Sequence, residues 1–439
     1  MSDTIYALSS GRGKAGVAVV RLSGPAAVAA LQAVSGAAAS PHRLMTRVRL
    51  RDPDNERVLD DGLAVLFRAP ESYTGEDVVE LHVHGGRAVI AAVLAVLSAR
   101  PGLRMAEPGE FTKRAFLNGK MDLTAAEGVI DLVEADTEMQ RRQALRQAGG
   151  ALARLYDGWR ERLVVLLATV EAEIEFPDED LESAVTETIR SQISPLLSEM
   201  SQHLEDQHRG ERLRDGVSVA IVGVPNAGKS SLLNALARRD AAIVSATEGT
   251  TRDVIEVHLD LGGYPVLVAD TAGLRDAAEA VEVEGVRRAL DRAGQADLVL
   301  HVVDGTNPQP LPHALANREK DVLTVWNKAD LAPPPDTVGP GADVVSAATG
   351  EGLEGLLGRV QAAVADRFEG AGEAVLTRAR HREAVTDCLA CLDRAGTAAL
   401  PELAAEDLRL AARALGRVTG RVDVEELLDV VFREFCIGK

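Results

Sequence analysis

The run Gly223-Val224-Pro225-Asn226-Ala227-Gly228-Lys229-Ser230 is a complete G-x-x-x-x-G-K-[ST] loop, set between the apolar stretch Val217–Val222 and a helical pattern that begins at Ser231. That context makes it a phosphate-binding loop and leaves a chance glycine-rich turn little room. The glycines let backbone N–H groups close around phosphates, Lys229 can reach the β and γ phosphates, and the Ser230 hydroxyl can ligate Mg²⁺. The base is indicated by Asn327-Lys328-Ala329-Asp330, which follows a strand-like run. Its terminal carboxylate can accept from guanine N1–H and the N2 amino group, a donor pair that adenine lacks. Ser346-Ala347-Ala348 reads as the accompanying base-contacting loop. Asp270-Thr271-Ala272-Gly273 ends another strand-like run; its Asp can organise the Mg²⁺ shell and Gly273 can present an N–H to the γ phosphate. GTP with Mg²⁺ is the expected ligand.

Hydrolysis needs a residue to orient water, and Leu274 follows Gly273 where Ras-like enzymes carry Gln. Glu282 can act through a bridging water, with Glu279 and Glu284 as competitors. Transition-state charge calls for a cation: Arg252 or Arg275, or a monovalent ion held by the Asn226 side chain and carbonyls around Ser245 and Thr247. Other chemistry-bearing groups are sparser. His82 and His84 share a strand face without an identifiable third ligand, and Cys388-Leu389-Ala390-Cys391 is a lone pair in a helical pattern, read as packing. The acidic run Glu171–Asp180 reads as a solvated helix end and loop. Cys436 is either a thiol nucleophile or a semi-buried terminal cysteine. Lys113-Arg114, Arg141-Arg142, Arg146, Arg154, Arg160 and Arg162 suit either nucleic-acid phosphates or a solvated helix face.

These residues need several domains to position them, because 439 residues exceed one ordinary core. Residues 1–118 read as a small α+β domain with strands at Val17–Leu22, Gly62–Phe67 and Asp77–Val83 and helices at Ala26–Val34 and Ala88–Leu97. Residues 119–213 are helical in pattern, and helical periodicity returns over 369–439. Between them, 214–368 alternates apolar strands with helices, which predicts an inserted, doubly wound, mostly parallel sheet with ligand loops at strand ends. A formal net charge of −19 argues against a polyanion-coating surface, so RNA contact must be local. With 7 Phe, 4 Tyr and 2 Trp, extensive base stacking is not expected. Three cysteines, no leader pattern and no apolar run of roughly 20 residues predict a cytoplasmic protein without membrane spans.

The nucleotide motifs resemble the translation-factor-related GTPase superfamily. Further motifs extend the likeness along essentially the full chain: Gly11-Arg12-Gly13, Val20-Arg21-Leu22-Ser23-Gly24, Thr74–Glu80, Pro108-Gly109-Glu110-Phe111-Thr112, Phe116–Lys120, Gly249-Thr250-Thr251-Arg252-Asp253 and Phe435-Cys436-Ile437-Gly438-Lys439. Together they resemble the bacterial tRNA modification GTPases of the MnmE (TrmE) family. The resemblance implies an N-terminal domain (1–118) that dimerises and binds a tetrahydrofolate derivative (5-formyl or 5,10-methylene), and a helical domain built from 119–213 and 369–439. It also implies a potassium-activated, Ras-like P-loop GTPase domain over 214–368 that dimerises across its switch face. It implies a homodimer that joins an FAD-dependent partner of the MnmG (GidA) type in a heterotetramer. That complex would add aminomethyl or carboxymethylaminomethyl groups at C5 of the wobble uridine (U34) of certain tRNAs.

Carried over by position, Arg21, Glu80, Lys120 and Lys439 match folate contacts. Asn226, Ser245, Thr247 and Thr250 match the potassium site, Ser230 and Thr251 the magnesium ligands, and Glu282 the water-orienting residue. Nucleotide contacts then comprise Asn226, Ala227, Gly228, Lys229, Ser230 and Ser231, the run Ser245, Ala246, Thr247, Glu248, Gly249, Thr250 and Thr251, and the motif residues above. Lys229 and Cys436 join Glu282 as catalytic candidates. Ser245 replaces the threonine usual there, which a backbone carbonyl ligand tolerates. Two other readings are an Era-like ribosome-assembly GTPase, which has no use for Cys436, and a folate-dependent aminomethyl-transfer enzyme regulated by GTP and active without a partner.

Overall fold

A computed structural model describes residues 3–11, 13–36, 41–175, 182–239, 242–243, 256–270, 291–334, 341–368, 375–422, 428 and 431–439. The chain divides into two compact units, one of residues 1–130, 147–169 and 408–439, the other of 131–146 and 170–407.

In the first unit, β1 (Thr4–Leu8), β2 (Ala15–Ser23), β3 (Thr46–Arg51), β4 (Val58–Phe67), β5 (Val78–Gly85) and β6 (Leu103–Met105) form one sheet in the order β3-β4-β5-β2-β1-β6. Only β1 and β6 run parallel. Alternation decides the faces: Ala18, Val20 and Leu22 of β2 and Val79, Leu81 and Val83 of β5 point into one core. Helices α1 (Ala27–Ser35) and α2 (Arg87–Ser98) contribute Leu31, Val34, Val93 and Leu97 to it. On the opposite face, Ile5 and Ala7 pack with Phe111 of α3 (Glu110–Leu117). The sequence reading missed β1, β3 and β6. Edge strand β3 alternates Arg47, Arg49 and Arg51 with buried Val48 and Leu50, so its mean hydropathy hides it.

Helix α4 (Leu123–Glu134) brings Leu123, Ala126 and Ile130 against Leu428, Val431, Phe432 and Phe435. The C-terminal residues continue onto the N-terminal sheet region. Ile437 bridges Pro108, and the Ser9 hydroxyl donates to the Gly438 carbonyl (2.8 Å). Gly438 has φ +101°, and a Cβ there would lie 2.2 Å from the Leu8 carbonyl oxygen, so glycine is required.

Helix α5 (Glu138–Ala148) is followed by α6 (Ala151–Glu175), which takes in the start of the acidic run; its remainder lies outside the described residues. In the second unit α7 (Glu182–Leu204) and α8 (Arg209–Asp215) lead into β7 (Val217–Val222). After α9 (Lys229–Ala237) come β8 (Glu256–Leu261), β9 (Tyr264–Asp270), β10 (Leu298–Asp304), β11 (Val322–Asn327) and β12 (Asp343–Val344). The sheet order is β12-β11-β10-β7-β9-β8, parallel throughout except for the β8–β9 hairpin. The expected doubly wound architecture is present. Every residue of β10 is buried, as a central strand covered on both faces must be. Helices α9 and α10 (Leu353–Phe368) line one core, while Ala293, Ala296 and Leu315 cover the other face. α7 also packs on α11 (Ala379–Thr397), where Cys388 sits 3.8 Å from the Met200 sulfur. Burial pushes the Cys388 thiol up, in keeping with a packing cysteine. α12 (Pro401–Thr419) follows.

Candidate functional site

Strand order reverses about β7, so the loops after β7, β10 and β11 meet at the carboxyl ends of the parallel strands, where open α/β sheets bind ligands. The phosphate loop enters α9 through Gly228, at φ +93°, where a Cβ would lie 2.2 Å from the Asn327 amide nitrogen. That close approach has a purpose. Asn327 is 1 % exposed; its Nδ2 donates to the Ala227 carbonyl (2.8 Å) and its Oδ1 accepts from the Ala347 N–H (3.0 Å). One buried amide thus ties the phosphate loop, the Asn327–Asp330 loop and the Ser346–Ala348 loop together. Ser346 is fully buried and its hydroxyl oxygen accepts from Thr349 N–H (3.1 Å), closing that last loop.

The groups left facing outward are Asn226, at φ +63°, Ser230, Ser231 and Asp330, all exposed. Lys229 folds back, its ammonium donating to the carbonyls of Gly223 (2.9 Å) and Val224 (3.0 Å). The N-terminus of α9 presents its first backbone N–H groups beside that ammonium, a combination suited to polyphosphate. Asp270 ends β9, as expected for a strand-end motif. Ser245–Thr251, Arg252, Thr271–Gly273, Arg275, Glu279, Glu282 and Glu284 lie outside the described residues. Sequence reasoning missed Asp304 at the end of β10. It pairs with Lys328 (2.7 Å), and hydrogen bonds from Lys328 and Thr306 hold its carboxyl well below the usual range, at about 2. Its one sequence signal is that it too ends an apolar strand before a glycine.

In the first unit, the antiparallel register places Arg21 of β2 directly opposite Glu80 of β5. Arg21 Nε donates to Glu80 Oε1 (3.0 Å), and its guanidinium lies 5.5 Å from the Tyr73 ring centroid and 5.7 Å from that of Phe111. His82 is 3.5 Å from the other Glu80 oxygen. Tyr73 shares a hydrogen bond with Thr112 (2.8 Å), and burial pushes its hydroxyl pKa up. Nothing in the local sequence separates Tyr73 and Phe111 from core residues, and His82, which the sequence offers only as half of an incomplete metal pair with His84, instead faces Glu80. Lys120 donates to the Pro70 carbonyl (3.0 Å). The C-terminal tail reaches the start of α3, the Cys436 carbonyl accepting from Gly109 N–H (3.4 Å), and the Cys436 side chain is exposed. The Lys439 N–H turns back to the same carbonyl (3.3 Å).

Of the basic clusters, Arg114 is 1 % exposed and bonds Asp3, Glu76 and Glu110. It braces the N-terminal domain and is removed from any nucleic-acid surface. Arg141 and Arg142 both pair with Glu138 (2.7 Å each), and Arg154 donates to the Gly149 carbonyl. Among the described residues no helix is long and apolar enough to cross a membrane.

Comparison with known proteins covers the whole chain. The family described as the GTP-binding protein TrmE N-terminus matches residues 4–120, and the MnmE helical domain matches residues 123–436. The tRNA modification GTPase MnmE of Parvibaculum lavamentivorans is 58% identical over 443 residues, covering 100% of both chains. That of Rhodospirillum rubrum is 55% identical over 454 residues, covering 100% of this chain and 99% of its own. Among solved structures, the G domain of the T. maritima FeoB iron transporter is 29% identical, covers 35% of this chain and 99% of its own, and has a TM-score of 0.27. Matched from end to end by these relatives, the chain belongs to the MnmE (TrmE) family of tRNA modification GTPases.

Proposed function

We propose that this chain hydrolyses GTP and, with an FAD-dependent partner of the MnmG type, takes part in adding aminomethyl or carboxymethylaminomethyl groups at C5 of tRNA wobble uridine. The observation that carries the nucleotide reading is the Asn327 amide joining three loops at the strand ends, with Asp330 exposed beside it. Gly228 and the inward-turned Lys229 fit a polyphosphate, whose oxygens would replace the Gly223 and Val224 carbonyls as acceptors. Ser230 and Thr251 would hold Mg²⁺, and Asn226, Ser245, Thr247 and Thr250 would hold K⁺. Glu282 would orient water.

In the first unit, a guanidinium near two aromatic rings and an adjacent carboxylate offer donors, acceptors and flat surfaces that fit a pterin. Arg21, Glu80, Lys120 and Lys439 would hold a tetrahydrofolate derivative there, which when bound supplies the one-carbon unit. We read residues 1–118 as this folate-binding and dimerisation domain and 214–368 as the GTPase domain, inserted in a helical domain of 119–213 and 369–439. The relatives favour this reading over ribosome assembly.

The test is mass spectrometry of wobble uridines in tRNA from cells lacking the chain, complemented by wild type or Cys436→Ser. Loss of C5 aminomethyl-type modification, restored by wild type, is expected; unchanged uridines would reject the reading. Failure of Cys436→Ser to restore it would assign the thiol a role. GTP hydrolysis is expected to run faster in K⁺ than in Na⁺ at equal ionic strength, and Glu282→Ala to keep nucleotide affinity while losing turnover.

A further inference from the structure

Asp304 divides its two carboxylate oxygens between two tasks. Oδ1 accepts from the Thr306 N–H (2.9 Å) and the Thr306 hydroxyl (2.6 Å), which closes its own loop after β10. Oδ2 is not needed for that turn, and it accepts from the Lys328 ammonium (2.7 Å). The loops are joined again by the Gly305 N–H donating to the Asn327 carbonyl (3.0 Å). Asp304 is 7 % exposed and the Lys328 side chain 26 %, so the pair is shielded from water chiefly on its carboxylate side.

Lys328 is an unusual residue to immobilise. It has a left-handed backbone at φ +64°, lies between Asn327 and Asp330, and carries a long side chain with much rotamer freedom to lose. With its head engaged by Asp304, the part left for a ligand is the four-carbon stem, an apolar bar suited to the face of a planar base. We propose that Asp304 is a positioning residue for guanine-nucleotide binding, clamping the Lys328 head so that its stem is set as a wall of the base site before the nucleotide arrives. This rests on the GTP reading above. Ordering the lysine in advance lowers the entropy lost on binding, so the effect belongs to affinity and leaves turnover largely untouched.

Asp304→Asn separates the two tasks, because its amide oxygen can still accept from Thr306 while its NH₂ faces the ammonium. A double-mutant cycle in the full chain tests the proposal, with GDP and GTP affinities and steady-state hydrolysis measured for wild type, Asp304→Asn, Lys328→Met and the double variant. Releasing the immobilised lysine predicts GDP binding weaker by about three- to tenfold in each single variant. The double variant should bind no more weakly than Lys328→Met, with KM raised and kcat little changed. Additive losses would overturn the proposal, since Asp304 would then be a loop brace acting independently of Lys328. Wild-type GDP affinity in Lys328→Met, which leaves the Asp304 loop intact, would overturn it whether or not Asp304→Asn folds. Equal affinity of the wild type for GDP and ADP would instead reject the GTP reading beneath it.

Discussion

Asn327 spends both ends of its amide on backbone groups of other loops, so truncating it leaves the Ala227 carbonyl and the Ala347 N–H without this partner in a buried place. Each such orphan costs about 1–3 kcal/mol. Asn327→Ala is therefore expected to lower the melting temperature and to weaken GDP binding by more than tenfold, checked by thermal unfolding and nucleotide titration. Unchanged values for both would show that the three loops hold without it. His203 makes a different residue-scale prediction. Burial, with help from Arg382 and His381 and against Asp206, lowers its pKa to about 4 from an ordinary 6.5. The unfolded chain then binds the proton more readily, so His203 stabilises fully above pH 6.5 and progressively less as pH falls toward 4. The loss is at most about 1.4 kcal/mol for each pH unit. Urea unfolding at pH 7 and pH 5 should show a smaller drop for His203→Gln than for wild type.

At the scale of elements, strand register does what no single residue can. A slip of one residue between β2 and β5 would turn Arg21 into the core and leave Glu80 without its partner. The docked C-terminal tail is a second case, held by the Ile437–Pro108 bridge, the Ser9 hydroxyl and the fit of Gly438 against Leu8. Gly438→Ala puts a methyl group into a 2.2 Å gap at a φ that alanine resists. The variant should release the tail, so that carboxypeptidase removes the last residues faster than from wild type. Equal digestion would mean the tail is held elsewhere. The α7–α11 pair rests on apolar burial: Leu196 is 1 % exposed, and Leu196→Ala should cost about 2–5 kcal/mol in chemical denaturation.

For the whole molecule, the decisive quantity is charge. A net −19 sets a repulsive field around any polyanion, and Arg114 and the Arg141–Arg142 pair are already engaged by carboxylates. The chain alone is expected to hold tRNA no better than the roughly 10⁻⁴–10⁻⁶ M of non-specific nucleic-acid binding at physiological salt. Addition of the proposed FAD-dependent partner should tighten binding well beyond this. Fluorescence anisotropy with and without the partner measures it, and equal affinity in both would move tRNA recognition onto this chain.

Local sequence determined the phosphate loop, the Asn327–Asp330 loop and the alternation of apolar strands with helices, because a turn's backbone conformation and a strand's burial are written in adjacent residues. It also marked Arg21 and Glu80, through motifs of neighbouring residues, but not that they pair. Tertiary structure alone decided that Arg21 meets Glu80 and lies near Tyr73 and Phe111, that Asp304 holds Lys328, that Arg114 is internal, and that the last residues lie against Leu8 and Gly109. Each of these joins residues far apart in the chain, and a charge or ring carries no local mark of its distant partner. Strand order and register choose that partner, and they are properties of the assembled sheet.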